Sequence, residues 1–160
     1  MNTSIKSTQE TAKNKAALFW KFFWLSFLVL SLAYARYSFY SPSSQIKWVK
    51  PISSIEELSN SSSNKNTLLF FTGKWCSPCQ IMKREVFADS EVEKIVNAKL
   101  HAIQIDIASP STIEIVNYYK VAATPTSIIV NNKGEVLDYA VGKMDKNQFL
   151  EMLKHAESKK

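Results

Sequence analysis

The sequence predicts an α/β fold. A mixed central sheet, parallel in its βαβ half and closed by a C-terminal antiparallel hairpin, carries helices on both faces and is preceded by one apolar helix. Three observations carry this expectation. From residue 46 onward, short apolar runs of strand length alternate with stretches at helical spacing. The turn Asn131-Asn132-Lys133-Gly134 separates the last two runs. One uncharged stretch, Phe22 to Ala35, stands apart near the N-terminus.

Taken in order, Ile46 to Val49 reads as a short edge strand after a turn-like linker at 41–45. Ser53-x-x-Glu56 and Ser54-x-x-Glu57 are both capping-box patterns, so a short helix starts there and runs out in the polar loop Asn60 to Asn64. Thr67 to Thr72 (TLLFFT) is a continuous apolar run, the pattern of a strand buried on both faces. After the turn Gly73-Lys74-Trp75, a helix is expected from about Cys76 to Phe87, and a second, capped by Asp89, through Asn97. Leu100 to Ile107 places apolar residues at 103, 105 and 107, at strand period. Ser109-Pro110 is a cap followed by a first-turn proline, opening a helix to about Lys120. Thr126 to Val130 and Glu135 to Val141 are strands, and Asp145-x-x-Gln148 caps a last helix through about His155. The order is β-α-β-α-β-α-β-β-α. Strands joined through helices are expected to pair in parallel, which leaves the hairpin as the one antiparallel pair.

The N-terminal segment divides into a basic tail at 1–21, expected on the cytoplasmic side, and an apolar stretch at 22–40. Fourteen residues from Phe22 to Ala35 carry no charge. That suits a signal-peptide core, and Ala33-Tyr34-Ala35 fits a signal-peptidase site, with cleavage after Ala35. Extended back to Ala16, the stretch suits a retained anchor. Lys21 would then snorkel, and Tyr34, Tyr37, Phe39 and Tyr40 would form an aromatic belt. A third reading, a buried core helix, fits the basic flank poorly. The first two send the remaining chain across the membrane, so an extracytoplasmic, periplasmic-side location is expected.

The chain has 160 residues and 46% hydrophobic content. That suits one domain, expected at 46–157, plus an appendage, since domains commonly hold about 100–200 residues. Net charge is +6, but residues 1–21 hold four lysines against the single acid Glu10. From Ile46 onward 15 basic residues face 13 acidic ones. The near balance leaves no basic stripe for nucleic acid.

There are two cysteines, Cys76 and Cys79. A secreted fold held by disulfides normally carries more, so this spacing suggests chemistry. In Gly73-Lys74-Trp75-Cys76-Ser77-Pro78-Cys79 the pair follows a buried strand and opens a helix. The first helical turn offers free N–H groups and the positive end of the dipole, which stabilise a thiolate. Cys76, at the exposed start, would attack a substrate disulfide, and Cys79, one turn on, would resolve the mixed disulfide. Pro78 stiffens the first turn without removing a needed hydrogen bond, and Trp75 offers an apolar wall. A zinc site would need more ligands than the distant His101 and His155 supply, so no metal is expected. A purely structural bridge between residues three apart would stabilise little.

WCSPC after an apolar strand, Ala123-Thr124-Pro125-Thr126 before the next strand, and Val141-Gly142 ahead of the last helix together resemble thioredoxin. The likeness covers about residues 46–157. Ser54 to Leu58 and Glu85 to Val92 most resemble the periplasmic C-terminal domain of the thiol:disulfide interchange protein DsbD and small periplasmic Dsb-type oxidoreductases. The resemblance implies a nucleophilic Cys76 and a resolving Cys79. It also implies a cis Pro125 facing the pair, and a Thr124 backbone that binds an extended substrate peptide. Ser77 and Pro78 belong to the same substrate-facing loop. Trp75 shields the site, and Gly142 lets a backbone pass close. The sequence departs from the family at Phe70, where thioredoxins carry a buried aspartate, and at Ala102, where its lysine partner falls. Water, or Glu85 if the fold brings it near, is then left as the proton acceptor for Cys79, although a helix glutamate is usually a surface charge. Lys74, Lys83 and Arg84 either favour the thiolate or are ordinary surface cations.

The expected activity is protein-disulfide oxidoreduction, in the reducing direction, because Ser-Pro resembles the Gly-Pro of reducing thioredoxins. The alternatives are an oxidase or isomerase, and a membrane-tethered peptide-binding module with incidental cysteines. Beyond the redox-active disulfide no cofactor is expected, because the chain has no Gly-rich loop and no CxxCH. The expected partners are disulfide-containing periplasmic proteins and a separate electron donor, such as a membrane thiol–disulfide reductase.

Overall fold

The structure is a computed structural model that describes residues 3–39, 44–60 and 65–159. It divides into two compact units, residues 1–41 and 42–160. The linker at 41–43, the polar loop at 61–64 and the side chains of Tyr37, Phe39 and Tyr40 lie outside the described residues.

The first unit is one helix, α1 (Thr3–Phe39), so the polar tail is helical too. Its span Leu18–Arg36 has 19 residues and a mean hydropathy of 1.6. At 1.5 Å per residue that gives about 28 Å, close to the thickness of a bilayer core. The large apolar side chains from Leu18 to Tyr34 are exposed, which is the opposite of a core helix. Among the described residues α1 is thus long and apolar enough to cross a membrane.

The second unit holds β1 (Trp48–Val49), α2 (Ile55–Asn60), β2 (Asn66–Thr72), α3 (Ser77–Glu85), α4 (Ser90–Lys99), β3 (Leu100–Asp106), α5 (Ile113–Tyr118), β4 (Thr126–Val130), β5 (Val136–Val141) and α6 (Lys146–Ser158). A short 3-10 turn, Pro110–Thr112, leads into α5. The five strands lie in the order β1-β3-β2-β4-β5. β1 and β2 run parallel to β3, and β4 runs antiparallel to both β2 and β5. Central β2 is buried from Thr67 to Thr72, as its unbroken apolar run requires.

The pair β2·β4 corrects the expectation of a single antiparallel pair. α5 has six residues and rises about 9 Å, whereas a seven-residue strand spans about 23 Å. It does not carry the chain back to the far end of the sheet. β4 therefore starts where β2 and β3 finish, with Thr126 opposite Phe71.

Alternation along the strands builds two cores. Leu68, Phe70 and Ile129 face α3, α4 and α6, where they meet Cys79, Met82 and Phe149. Leu69, Phe71 and Ile128 face α2 and α5, where they meet Leu58 and Ile115. The Asp145–Gln148 capping box closes α6 reciprocally, and the Asp89 side chain caps α4. At the hairpin, Asn131 Oδ1 accepts from the N–H groups of Lys133 and Glu135, and Gly134 supplies a φ of 79°.

Candidate active site

β2 delivers the chain to the cysteine loop. Gly73 is buried, and a Cβ there would come within 3.1 Å of the Trp75 indole, a tight contact that the ring would have to yield to by a few tenths of an ångström. Cys76 is the N-cap of α3, and its backbone N–H donates to the Gly73 carbonyl at 3.1 Å. Cys76 and Cys79 form a disulfide with their Cα atoms 5.3 Å apart. The N–H of Cys79 points at Cys76 Sγ, at 3.2 Å. This is the capping geometry in which an orphan helix N–H meets a side-chain acceptor. A thiolate at Cys76 would receive the same bond with the helix dipole behind it. Ser77 and Pro78 are exposed and Cys79 is fully buried. Cys76 is only 3% exposed, which corrects the expectation of an exposed first cysteine, since its sulfur is bonded to Cys79 and packed in the α3 core. Trp75 is 69% exposed, so its ring is an open apolar surface on the loop that leads into Cys76.

A second loop ends at the same edge of the sheet. The Thr124-Pro125 peptide is cis, and Pro125 immediately precedes β4. The Pro125 carbonyl accepts from the Gly142 N–H at 2.8 Å, which ties this loop to the end of β5. The Thr126 hydroxyl donates to the Ala123 carbonyl at 2.8 Å. Gly142 has φ 97°, and a Cβ there would meet nothing within 4 Å. Within the chain its backbone angle, rather than a close neighbour, calls for glycine.

The remaining candidates separate. Phe70 is fully buried, with its ring 4.7 Å from Phe87 and 6.2 Å from Trp48. An aromatic cluster thus fills the place of the aspartate, and Ala102 packs into the same core. Glu85 is exposed at the end of α3 and reaches Arg84 at 3.7 Å and Lys143 at 3.5 Å, so it is engaged at the surface. Lys74 is exposed. Lys83 is half-buried, and burial holds its ammonium below the usual lysine range while the Asp106 carboxylate opposes that shift. His155 pairs with Asp138 at 3.0 Å on the surface, and His101 lies on β3.

The sequence reading missed two side chains on the α3 side of the sheet, Thr72 and Ser127. Both are buried hydroxyls. Their signal was a polar residue at core-facing parity in TLLFFT and in TSIIV.

A family profile described as a thioredoxin-like domain matches residues 57–157. The chain belongs to the thioredoxin-like family. Among solved structures, the DsbH oxidoreductase is 21% identical with a TM-score of 0.60, covering 73% of this chain and 88% of its own. A thioredoxin from Thermus thermophilus is 23% identical with a TM-score of 0.55, covering 59% and 75%. Mitochondrial thioredoxin 3 from Saccharomyces cerevisiae, in its oxidized form, is 19% identical with a TM-score of 0.53, covering 70% and 99%. At these identities the likeness is one of fold. No curated protein matches the chain significantly. A thioredoxin-like domain with a CxxC disulfide at a helix N-terminus supports thiol–disulfide oxidoreduction.

Proposed function

We propose that this protein is an extracytoplasmic thiol–disulfide oxidoreductase that reduces protein disulfides. The observation that carries this reading is the Cys76–Cys79 disulfide at the N-terminus of α3, with Cys76 Sγ facing the Cys79 N–H. In the reduced enzyme, the Cys76 thiolate attacks a substrate disulfide. A mixed disulfide forms, and one substrate sulfur leaves as a thiolate and takes up a proton. Cys79 then loses its proton and attacks Cys76 Sγ, which closes the disulfide and releases the second substrate sulfur. Two electrons pass to the substrate, and the enzyme ends in the disulfide form seen here.

In this proposal the exposed Trp75, Ser77 and Pro78 face the substrate together with the half-buried Thr124, and the buried Pro125 supports that loop. Location outside the cytoplasm is supported by the apolar helix α1 behind a lysine-bearing tail. Kinship with the DsbD domain rests on the sequence stretches alone. The reducing direction rests on Ser77-Pro78. With two cysteines, neither in the apolar segment, the chain needs a separate donor to reset the pair.

The test is the reduction potential of the pair in the full chain, solubilised in detergent and equilibrated in glutathione buffers. The expected value lies below about −220 mV, with the reductases. A value above about −150 mV reverses the direction, and one near −180 mV points to an isomerase. A pair that never exchanges with glutathione refutes the enzyme reading and leaves a peptide-binding module.

A further inference from the structure

Thr72 Oγ1 and Ser127 Oγ are buried and have no hydrogen-bond partner among the described residues. Thr72 is 2% exposed and Ser127 0%. An unpaired hydroxyl in a core is costly, so its presence there asks for a reason.

The register places both on the side of the sheet that carries the disulfide. Ser127 stands opposite Phe70, and alternation puts it on the face of Ile129 rather than that of Ile128. Phe70 and Ile129 belong to the cluster that contains Cys76, Cys79 and Met82, and Ile128 belongs to the other. Thr72 lies two residues beyond Phe70 on the same face, at the end of β2 that runs into the cysteine loop.

Cys79 is the fully buried reactive group of that cluster. To resolve a mixed disulfide its thiol must ionise, and burial among apolar side chains opposes the charge. No carboxylate, lysine or histidine is buried among the described residues. Lys83, one turn along α3, is half-buried and interacts with Asp106. Asp106, beside Thr72 at the end of β3, accepts from the Ala108 N–H. Lys74 in the loop is exposed, and Glu85, Arg84 and Lys143 pair at the surface. β5 and α6 carry Asp138 paired with His155, and Lys146 paired with Asp89 and Glu91, also at the surface.

Resting on the exchange reading above, we infer that the Thr72 and Ser127 hydroxyls donate hydrogen bonds to the Cys79 thiolate when the disulfide opens. In the disulfide form Cys79 Sγ is bonded to Cys76 Sγ, and neither hydroxyl stands in hydrogen-bond geometry with it. Opening the disulfide frees that sulfur to turn toward them. As a thiolate it is a strong acceptor. The step balances. Cys79 gives its proton to solvent, its sulfur bonds to Cys76 Sγ, and the bond from Cys76 to the substrate breaks. The departing substrate sulfur takes up a proton.

The test uses the full chain with Ser127→Ala and Thr72→Val, singly and together, and Thr72→Ser as the conservative control. Cys76 is loaded with glutathione, and release of glutathione by Cys79 is timed across pH. In the double variant the midpoint of the pH–rate profile is expected to rise by about one unit. Resolution below the midpoint then slows only about threefold, because a less acidic thiol is also the better nucleophile. Thr72→Ser keeps the wild-type profile. Ser127→Ala and Thr72→Val each remove an unpaired buried hydroxyl, so their melting temperature is expected to hold or rise. If the double variant fails to fold, Ser127→Ala alone carries the test through a smaller upward shift. An unmoved midpoint in a folded variant overturns the inference and leaves the oxidoreductase reading intact. Failure of the wild type to exchange at all strikes that reading instead.

Discussion

On one side of the sheet, α3, α4 and α6 press a continuous aromatic cluster against the strands. Phe87 lies 4.7 Å from Phe70, 5.3 Å from Phe149 and 5.4 Å from Trp48, ring centre to ring centre. On the other side, α2 and α5 have six residues each. They leave a half-open cavity of about 420 Å³, lined among others by Tyr119, Val121, Ile128, Tyr139 and Val141. The cysteines belong to the sealed side. Disulfide exchange needs two sulfurs held at one separation, and a face packed at crystal-like density holds them better than one that can relax into a cavity.

Three substitutions would sharpen or break this contrast. The largest loss is expected for Phe87→Ala, which removes the ring at the centre of the sealed face. Denaturant unfolding should show a loss of about 3–5 kcal/mol. Ile128→Ala, on the cavity side, is expected to cost about 2 kcal/mol, because its surroundings already have room to relax. Equal losses for the two would dissolve the distinction between the faces.

The smallest effect concerns the surface of the sealed side. Asp89 caps α4 through the N–H groups of Glu91 and Val92, and Lys146 from α6 reaches it at 2.9 Å. The Lys146 hydrogen bond comes first among the causes that hold its carboxyl below the usual aspartate range. Asp89→Ala is expected to cost about 1 kcal/mol near neutral pH. A lowered native value adds stability above the unfolded aspartate value of about 3.9, and that stability is lost as pH falls through the native value. The gap between wild type and variant should therefore stay constant from about pH 5 to 8 and close below about pH 4. A gap that persists under acid would remove the ionised cap from the account.

Much of this molecule was legible from local patterns. TLLFFT announced a strand buried on both faces, the Asp145–Gln148 box marked the start of α6, and WCSPC stood where a strand turns into a helix. Each depends on residues within a few positions of one another. Thr72 and Ser127 were harder to see, because a threonine and a serine in apolar runs are ordinary until the register sets them on one face. Glu85 stands near the cysteines in sequence, and on a nine-residue helix it turns outward to Arg84 and Lys143, the surface charge that a helix glutamate is expected to be.

By itself the sequence determined the order of elements, the caps of α4 and α6 and the placement of Cys76 at a helix N-terminus, whereas Ser109 makes no side-chain cap and the helix expected from Pro110 opens as a 3-10 turn. Hydrophobic period, caps and turn residues act within a few residues of chain. Only the tertiary structure decided that β4 runs antiparallel along β2 and that two hydroxyls share a face with Cys79. Those facts depend on the pairing of strands more than fifty residues apart. A one-residue slip in that pairing would turn every side chain of β4 to the other face, and no local pattern encodes it.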